Sequence, residues 1–346
     1  MAASPPRIAV GLVGYGLGSS VFHAPLLLSS GKFALTHVLE RSTSKSAALV
    51  PAPQIVRSMD ELLAAPVELV VISTPTHTHF ELAKRAIAAK KHIVVDKPLV
   101  LAAAQAQELV DLSKAHGVLF TVFQNRRWDS DFLTVRALVE AGALGEVRKF
   151  EAHFDRYRPA LKGYWKEKAE LGGGVLYDLG AHLVDQALQL FGEPDDVAAD
   201  VQIQRAGAEN DDYFRLEFKY HGRPQLEVVL TAGMLVKERG PKYTLEGSHG
   251  TFVKFGEDVQ EPQLAAGKRP GDADYGEEPA SSHGTFVGLD GATQVIPSKT
   301  GSYGVYYYNI AAAILSGEPL LVDPATVVPQ IRILEAAKKT ERVNRQ

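Results

Sequence analysis

One lysine of this sequence lies where an active-site amine could be held. Residues 92–95 are mostly apolar and β-branched, which predicts a buried strand, and Asp96, Lys97 and Pro98 follow directly. Proline has no N–H and disfavours helical backbone at the preceding residue, so the chain should stay extended at Lys97. Open α/β sheets bind ligands at the carboxyl ends of their strands. Lys97 is therefore either an active-site amine or a solvated lysine at a strand end.

A second candidate is an aspartate four residues before a histidine. Residues 172–190 begin with three glycines and predict an amphipathic helix, on which Asp178 and His182 share one face. A neighbouring carboxylate orients an imidazole and raises its basicity, as a general base requires. The alternative is the ordinary polar face of such a helix. We expect no metal site, because zinc needs three or four ligands and the sequence contains no cysteine.

A glycine-rich turn separates a predicted strand at residues 7–13 from a predicted helix at residues 20–28. This is the setting of a dinucleotide-binding fingerprint, whose glycines permit the turn and the approach of pyrophosphate to the backbone. Ser19 occupies the third fingerprint position, where glycine or alanine is usual. The turn predicts NAD or NADP as cofactor. Its candidate binding residues are Gly14, Gly16, Leu17 and Gly18.

The end of the next predicted strand, residues 34–39, bears on the choice between NAD and NADP. An acid there hydrogen-bonds the adenosine ribose and repels a 2′-phosphate, whereas a nearby arginine accommodates that phosphate. Glu40 and Arg41 favour opposite cofactors, and Ser42 could add a phosphate donor. The sequence leaves the two cofactors open, and a surface turn of mixed charge is the alternative.

A third predicted strand, residues 68–72, is followed by a loop whose composition suits one side of the cofactor site. Thr74 and Pro75 lie in this loop, and His79 precedes a predicted helix at residues 80–90. His79 could lie near the nicotinamide or ribose, or could belong to the first turn of the helix. Asp96 and Lys97 complete the predicted cofactor site.

The alternation of strands and helices, which ends with a predicted strand at residues 117–123, predicts a doubly wound parallel sheet, a Rossmann domain, over residues 1–124. Residues 125–346 predict a second α/β domain for substrate and oligomer contacts, with a final helix at 324–339 that could pack back on the first domain. Alternating patterns predict an open, mainly antiparallel sheet in this domain. Its predicted strands are residues 146–156, 197–204, 213–220, 225–232 and 242–246. Residues 257–282 predict a long loop.

Substrate contacts are predicted from a loop rich in aromatic and cationic residues at positions 155–168. Aromatic rings suit the faces of sugar rings, and cations suit hydroxyls. The substrate candidates are Asn125, Arg156, Tyr157 and Trp165.

The composition is that of an ordinary globular protein of 346 residues, with 45% hydrophobic and 23% charged residues. A formal net charge of -4 gives no reason to expect nucleic acid or an anionic membrane as partner. No secretion signal and no apolar run of about 20 residues is present, so we expect a cytoplasmic protein without a membrane partner.

Taken together, these motifs resemble the glucose–fructose oxidoreductase, inositol dehydrogenase and rhizopine catabolism (Gfo/Idh/MocA) family, most of all its NADP-dependent scyllo-inositol dehydrogenase branch. The resemblance covers nearly the whole chain. The segments that carry it are VGYGLGSSVFHAPLL, STPTHTHFELAKRAI, FQNRRWDSDFLT, FDRYRP, LYDLGAHLVDQAL and GSYGVYYYNI.

The resemblance implies reversible oxidation of a secondary alcohol of a sugar or cyclic polyol by NAD or NADP, with NADP slightly favoured. Lys97 matches the family's active-site lysine, with Asp96 in place of the usual glutamate, and Asp178 and His182 match its aspartate and histidine. His182 would act as general base, oriented by Asp178, while Lys97 stabilises the alkoxide. The resemblance also implies a homodimer or homotetramer formed through the second sheet.

Two alternatives remain open at this point. Relatives with this fold can bind cofactor and regulate transcription without catalysis, although they can lose the lysine and histidine that are present here. Others are NAD-dependent glycoside hydrolases. The sequence does not indicate the exact substrate, its stereochemistry, the physiological direction or the oligomeric state.

Overall fold

The computed structural model describes residues 7–163, 165–168 and 172–344, which fall into two units. Each unit is discontinuous in sequence. The first comprises the chain up to Asn125 with Gln260–Tyr275 and Ser302–Val328, and the second comprises Arg126–Val259, Gly276–Gly301 and the chain from Pro329. A single boundary after residue 124 therefore leaves out two later segments of the first unit.

The first unit has the predicted doubly wound α/β fold. Its six parallel strands have the order β3-β2-β1-β4-β5-β6, that of two mononucleotide-binding halves. The strands are β1 (Ile8–Val13), β2 (Phe33–Leu39), β3 (Gln54–Val56), β4 (Leu69–Ile72), β5 (His92–Val95) and β6 (Phe120–Val122). The helices before residue 125 are α1 (Ala24–Ser29), α2 (Met59–Ala64), α3 (His79–Ala88) and α4 (Ala103–His116). Strand β4 is buried throughout, as expected where helices cover both faces of a sheet.

The second unit contains the predicted open sheet, with nine strands in the order β14-β13-β12-β11-β7-β10-β9-β8-β15. It is mainly antiparallel, with parallel pairs between β7 and β10 and between β8 and β15. The strands are β7 (Val147–His153), β8 (Asp196–Ile203), β9 (Tyr213–Lys219), β10 (Glu227–Gly233), β11 (Tyr243–Gly247), β12 (Gly250–Lys254), β13 (Gly284–Gly288), β14 (Thr293–Ile296) and β15 (Arg342–Val343). Two helices of this unit are α5 (Ser130–Glu140) and α6 (Ala181–Phe191).

Helix α6 packs on one face of the second sheet. The Phe150 ring lies 5.4 Å from the Phe191 ring, and the Tyr243 hydroxyl donates a hydrogen bond to Gln186 at 2.8 Å. Burial alternates along β9, so one face of the sheet is covered and the other is partly exposed.

The remaining helices lie in the last third of the chain: α7 (Gln260–Ala265), α8 (Gly304–Ser316) and α9 (Val328–Lys338). Helix α7 lies within the segment predicted as a long loop. The predicted helix at 324–339 is divided, since a 3-10 turn, Pro324–Val327, packs on β6 and α4 whereas most of α9 belongs to the second unit. Across the described part of the chain, no helix is long and apolar enough to cross a membrane.

Candidate functional site

The glycine turn after β1 has a backbone that fits a dinucleotide. Gly14 has φ of +87°, and a Cβ there would lie 2.7 Å from the Ser73 carbonyl oxygen, so the position requires glycine. A Cβ on Gly16 would meet no described atom within 4 Å, which leaves its backbone open to approach. Ser19 Oγ donates to the Gly14 carbonyl at 2.8 Å, so serine at the third fingerprint position closes the turn. Leu17 is exposed beside it.

Gly18 packs against the turn that carries Lys97. A Cβ on Gly18 would lie 2.8 Å from Ser73 Oγ and 2.9 Å from Asp96 Oδ2. Asp96 accepts hydrogen bonds from Ser73 Oγ at 3.0 Å and from the Lys97 backbone N–H at 2.8 Å, and His23 Nε2 lies 3.5 Å away. Burial would raise the pKa of Asp96, but the nearby His23 and the charge of Lys97 hold it well below its usual range. The structure thus joins the glycine turn to the Lys97 turn through an ionised carboxylate.

Glu40, the acid predicted to bind the ribose, is hydrogen-bonded within its own loop. Its Oε1 accepts hydrogen bonds from Ser46 N–H at 2.9 Å and Ser46 Oγ at 2.6 Å. Its Oε2 accepts from the Lys45 N–H at 3.0 Å and from Thr43 Oγ1. Burial tends to raise the pKa of Glu40, but these hydrogen bonds lower it. Since the side chain is buried and its oxygens already have four donors, the carboxylate stabilises its own loop.

The two residues after Glu40 are arranged differently, because Arg41 and Ser42 are both exposed. They are the residues at the end of β2 that remain accessible to a ligand. An exposed arginine with an internally satisfied acid is the arrangement that accommodates a 2′-phosphate.

The His79 ring is buried among backbone carbonyls. Nε2 lies 2.8 Å from the Thr74 carbonyl oxygen, and Nδ1 lies 3.1 Å from the carbonyl oxygens of Pro98 and Leu99. The residue is 1% exposed, which leaves no ring nitrogen for nicotinamide or ribose. His79 begins α3, as the second interpretation of the sequence held, and it ties the loop containing Thr74 and Pro75 to the chain after Lys97.

In the second unit, Asp178 and His182 lie on consecutive helical segments. Asp178 is in a π-helical turn, Leu176–Gly180, and His182 is buried in the first turn of α6. A π-helical turn has more residues than an α-helical one, so spacing alone does not fix the relative direction of the two side chains. Asp178 Oδ1 accepts a hydrogen bond from Lys166 Nζ at 2.7 Å, a partner that the sequence did not indicate.

Cationic groups surround the Phe154 ring beside His182. The His182 and Phe154 ring centroids are 6.4 Å apart. Lys242 Nζ lies 3.6 Å from the Phe154 centroid, and the guanidinium carbons of Arg156 and Arg126 lie 4.7 and 5.0 Å from it. Three cations therefore lie within cation–π distance of the Phe154 ring, next to His182, the candidate base.

Carboxylates balance these cations. Arg156 forms a two-point ion pair with Glu257, and burial, which would raise the pKa of Glu257, is outweighed by Arg156 and Lys242, which lower it. Burial lowers the pKa of Lys242, an effect that Asp131 and Glu257 oppose.

The other predicted substrate residues are placed as follows. Tyr157 is exposed and forms an isolated β-bridge with Leu235. Trp165 begins a short 3-10 turn, with Lys166 Nζ 5.8 Å from its ring centroid. Asn125 is buried at the last position of the first continuous segment.

Sequence reasoning missed a buried ion pair next to α6. Arg127 Nε and Nη2 donate to the two oxygens of Asp185 at 2.8 and 2.7 Å, with both side chains 4% exposed. Nothing local in the sequence pairs these residues. Within the described ranges, no group of three or more His, Cys, Asp or Glu side chains could hold a metal ion.

Comparison with known proteins matches both parts of the chain to one family. Residues 8–124 match the model "Oxidoreductase family, NAD-binding Rossmann fold", and residues 136–345 match "Oxidoreductase family, C-terminal alpha/beta domain", both of Gfo/Idh/MocA. Scyllo-inositol 2-dehydrogenase (NADP(+)) IolW of Bacillus subtilis is 38% identical over 98% of this chain and 95% of that protein.

Two solved structures extend the comparison. The oxidoreductase YvaA of Bacillus subtilis has a TM-score of 0.92 at 38% identity and covers 96% of each chain. An oxidoreductase from Yersinia pestis has a TM-score of 0.90 at 40% identity, covering 98% of this chain and 96% of its own.

Proposed function

Because the chain belongs to the Gfo/Idh/MocA oxidoreductase family, we propose that it reversibly oxidises a secondary alcohol of a sugar or cyclic polyol, with a scyllo-inositol-like substrate favoured. The chain is an oxidoreductase whose first unit is an NAD(P)-binding Rossmann domain. The observation that carries the proposal is the contact of Gly18 with Asp96, because it supports a location for Lys97 at the dinucleotide turn.

The proposed roles follow from the chemistry of the side chains. His182 accepts the proton of the substrate hydroxyl, and Asp178 orients its imidazole. Lys97 hydrogen-bonds the same oxygen and stabilises its developing negative charge. Asp96 holds the Lys97 backbone through the hydrogen bond to its N–H. Bound NAD(P)+ supplies the hydride acceptor.

NADP is the proposed cofactor. The inward carboxylate of Glu40 and the exposed Arg41 and Ser42 support it, since they remove the usual ribose acceptor and leave a phosphate-binding cation. The B. subtilis relative that carries NADP(+) in its name supports the same choice.

The proposed substrate is uncharged and polyhydroxylated. The Arg156–Glu257 ion pair beside Phe154 supports it, because a paired cation can donate to hydroxyls whereas an unpaired one would favour an anionic substrate. The name of the B. subtilis relative favours an inositol over other polyols.

A screen of both cofactors against inositols, aldoses and their keto forms, followed by the absorbance of reduced nicotinamide, tests this function. We expect reduction of NADP+ by an inositol. Cofactor binding without turnover of any polyol would favour a regulatory protein. Release of an aglycone from a glycoside without net reduction would favour a hydrolase.

Two variants test the roles directly. Lys97→Ala and His182→Ala are each expected to lower turnover by roughly a hundredfold or more, the scale of electrostatic and acid–base contributions. His182→Ala should keep the affinity for NADP+ of the unmodified protein. Near-normal turnover in either variant would reject the role assigned to that residue.

Assembly and location are further parts of the proposal. The partly exposed face of the second sheet carries paired charges, among them Lys149 with Glu151 at 2.9 Å, and it is the proposed contact of a homodimer or homotetramer in the cytoplasm. Light scattering of the purified protein measures the assembly, and a monomer at micromolar concentration would reject it.

A further inference from the structure

The segment Gln260–Tyr275 lies far along the sequence but belongs to the nucleotide-binding unit. Helix α7 packs against the π-helical turn Gly18–His23, directly after the glycine turn. Gln260 Oε1 accepts a hydrogen bond from the Tyr303 N–H at 2.7 Å. A Cβ placed on Gly304 would lie 3.4 Å from Pro270. The segment is thus held at Gln260 and at Pro270 against residues 303 and 304.

Within this segment, hydrogen bonds fix the Arg269 side chain but use only one of its three guanidinium nitrogens. Its Nη1 donates to the carbonyl oxygens of Lys268 at 2.8 Å and Leu264 at 3.3 Å, while its backbone N–H donates to Asp272 at 2.7 Å. Among the described residues, no hydrogen bond uses Nε or Nη2 of Arg269, and no carboxylate forms an ion pair with it. The side chain is half-buried. A fixed guanidinium with two adjacent free donors is preorganised for an anion.

Tyr15 indicates where this guanidinium lies, because Tyr15 is in the glycine turn itself. Burial raises the pKa of Tyr15, Glu40 raises it further, and the positive charge of Arg269 lowers it. Glu40 and Arg269 are therefore both close enough to the Tyr15 phenol to influence its pKa. Glu40 directly follows β2, where a doubly wound fold places the adenosine ribose. Because α7 packs against Gly18–His23 and the Arg269 charge acts on Tyr15, Arg269 lies beside the glycine turn.

We propose that Arg269 binds a phosphate of the dinucleotide, so that the segment Gln260–Tyr275 is a part of the cofactor site contributed from the last third of the chain. The free Nε and Nη2 match two phosphate oxygens. Two phosphate groups have this chemistry: the 2′-phosphate of NADP, which Arg41 would share, and the pyrophosphate of either cofactor. The proposal rests on the cofactor part of the proposed function and is independent of the alcohol.

Equilibrium binding without substrate tests it. The dissociation constants of NADP+ and NAD+ are measured for Arg269→Gln by quenching of intrinsic fluorescence. We expect a tenfold or larger increase for NADP+, typical of a lost charged hydrogen-bond pair. An increase for NADP+ alone assigns Arg269 to the 2′-phosphate, and an equal increase for both cofactors assigns it to the pyrophosphate. Unchanged constants for both overturn the proposal.

A matched control and a second measurement complete the test. Lys84→Gln removes a positive charge from the same unit at a surface pair with Glu108, and it should change neither constant. If Arg269→Gln does not fold, hydrogen exchange of the unmodified protein replaces it. NADP+ should then slow amide exchange in 260–275, and equal exchange with and without NADP+ would overturn the proposal. A failed substrate screen leaves both measurements unaffected.

Discussion

The two units position their candidate groups by different means. In the first, the candidate groups lie at the ends of neighbouring strands, and backbone groups and nearby hydroxyls hold them, as where the Lys97 N–H and Ser73 Oγ bind Asp96. In the second, the groups around α6 are held by charged side chains from distant segments, as where Arg127 meets Asp185. The comparison teaches that a site built on strand ends follows from local pattern, whereas a site built on side-chain pairs does not.

The largest expected effect is in the second unit, at the buried ion pair. Arg127→Met leaves the Asp185 carboxylate buried without its partner, and we expect the free energy of unfolding to fall by about 3–5 kcal/mol. Urea denaturation measures it. If side-chain pairs hold this unit, the loss should far exceed that of a surface pair in the first unit.

Two controls sharpen that test. Lys84→Met breaks the exposed pair with Glu108 in the first unit and should lower the free energy of unfolding far less than Arg127→Met. The double variant Arg127→Met, Asp185→Leu removes both charges and should recover much of the loss. Equal losses in Arg127→Met and Lys84→Met would show that burial of the pair adds nothing.

The second effect concerns Glu40 in the first unit. Glu40→Ala leaves the donors of Ser46, Lys45 and Thr43 without their acceptor, so we expect a loss of about 1–3 kcal/mol in the free energy of unfolding. Since the carboxylate is turned inward, the ratio of NADP+ to NAD+ affinity should change little. Arg41→Ala is the matched variant, and it should weaken NADP+ alone. A large rise in the NADP+ preference of Glu40→Ala would show that the Glu40 carboxylate does contact the ribose.

The third effect separates the two glycines of the fingerprint. Gly14→Ala places a Cβ at positive φ and against the Ser73 carbonyl, and we expect a loss of at least about 1–2 kcal/mol in stability. Gly16→Ala should leave stability within about 0.5 kcal/mol, because space is open there. It should still weaken NADP+ binding, because the added methyl occupies the path of the pyrophosphate. Denaturation and cofactor titration of both variants measure this, and indistinguishable stabilities would contradict the backbone argument.

The fold of the first unit was also easier to predict from the sequence than that of the second. Apolar β-branched runs and glycine turns are local signals, and they indicated five of the six strands of the first sheet, missing β3, which has only three residues. In the second sheet, β12 to β14 were missed because short strands beside polar turns carry too few alternating residues. The segment Gln260–Tyr275 could not be assigned to the first unit, since only tertiary packing brings it there.

The candidate site was predictable to the level of residue type and no further. The acid at the end of β2 was identified, but whether its carboxylate faces a ribose or its own loop depends on the donors of Ser46, which no pattern marks. His79 fitted two interpretations, because the side chain of a histidine at a helix start can face a ligand or pack against the protein. Lys166, Lys242 and Glu257 were not predicted, because their partners lie in distant segments.

The smallest expected effect is a pH dependence in the second sheet. His153 lies with Nδ1 at 3.2 Å from Asp155 and Nε2 at 3.1 Å from Glu151, so both ring nitrogens face carboxylates. Burial lowers the pKa of His153, but the hydrogen bonds and charges of Asp155 and Glu151 outweigh it and raise the pKa. Lys149, which pairs with Glu151, is the cation facing this group. A raised pKa means that the charged imidazole stabilises the fold.

The sign follows from that shift. The stabilisation is fully present below the ordinary imidazole pKa of about 6.5 and is lost as the pH rises through the raised pKa of the folded state. Since the group is partly exposed, we expect less than about 1 kcal/mol. The difference in unfolding free energy between the unmodified protein and His153→Gln, measured from pH 6 to 9 at fixed protein concentration, should shrink as the pH rises. A constant difference would mean that His153 contributes by packing alone. The exposed charges of this sheet would then add nothing to the stability of the second unit, unlike the buried pair beside α6.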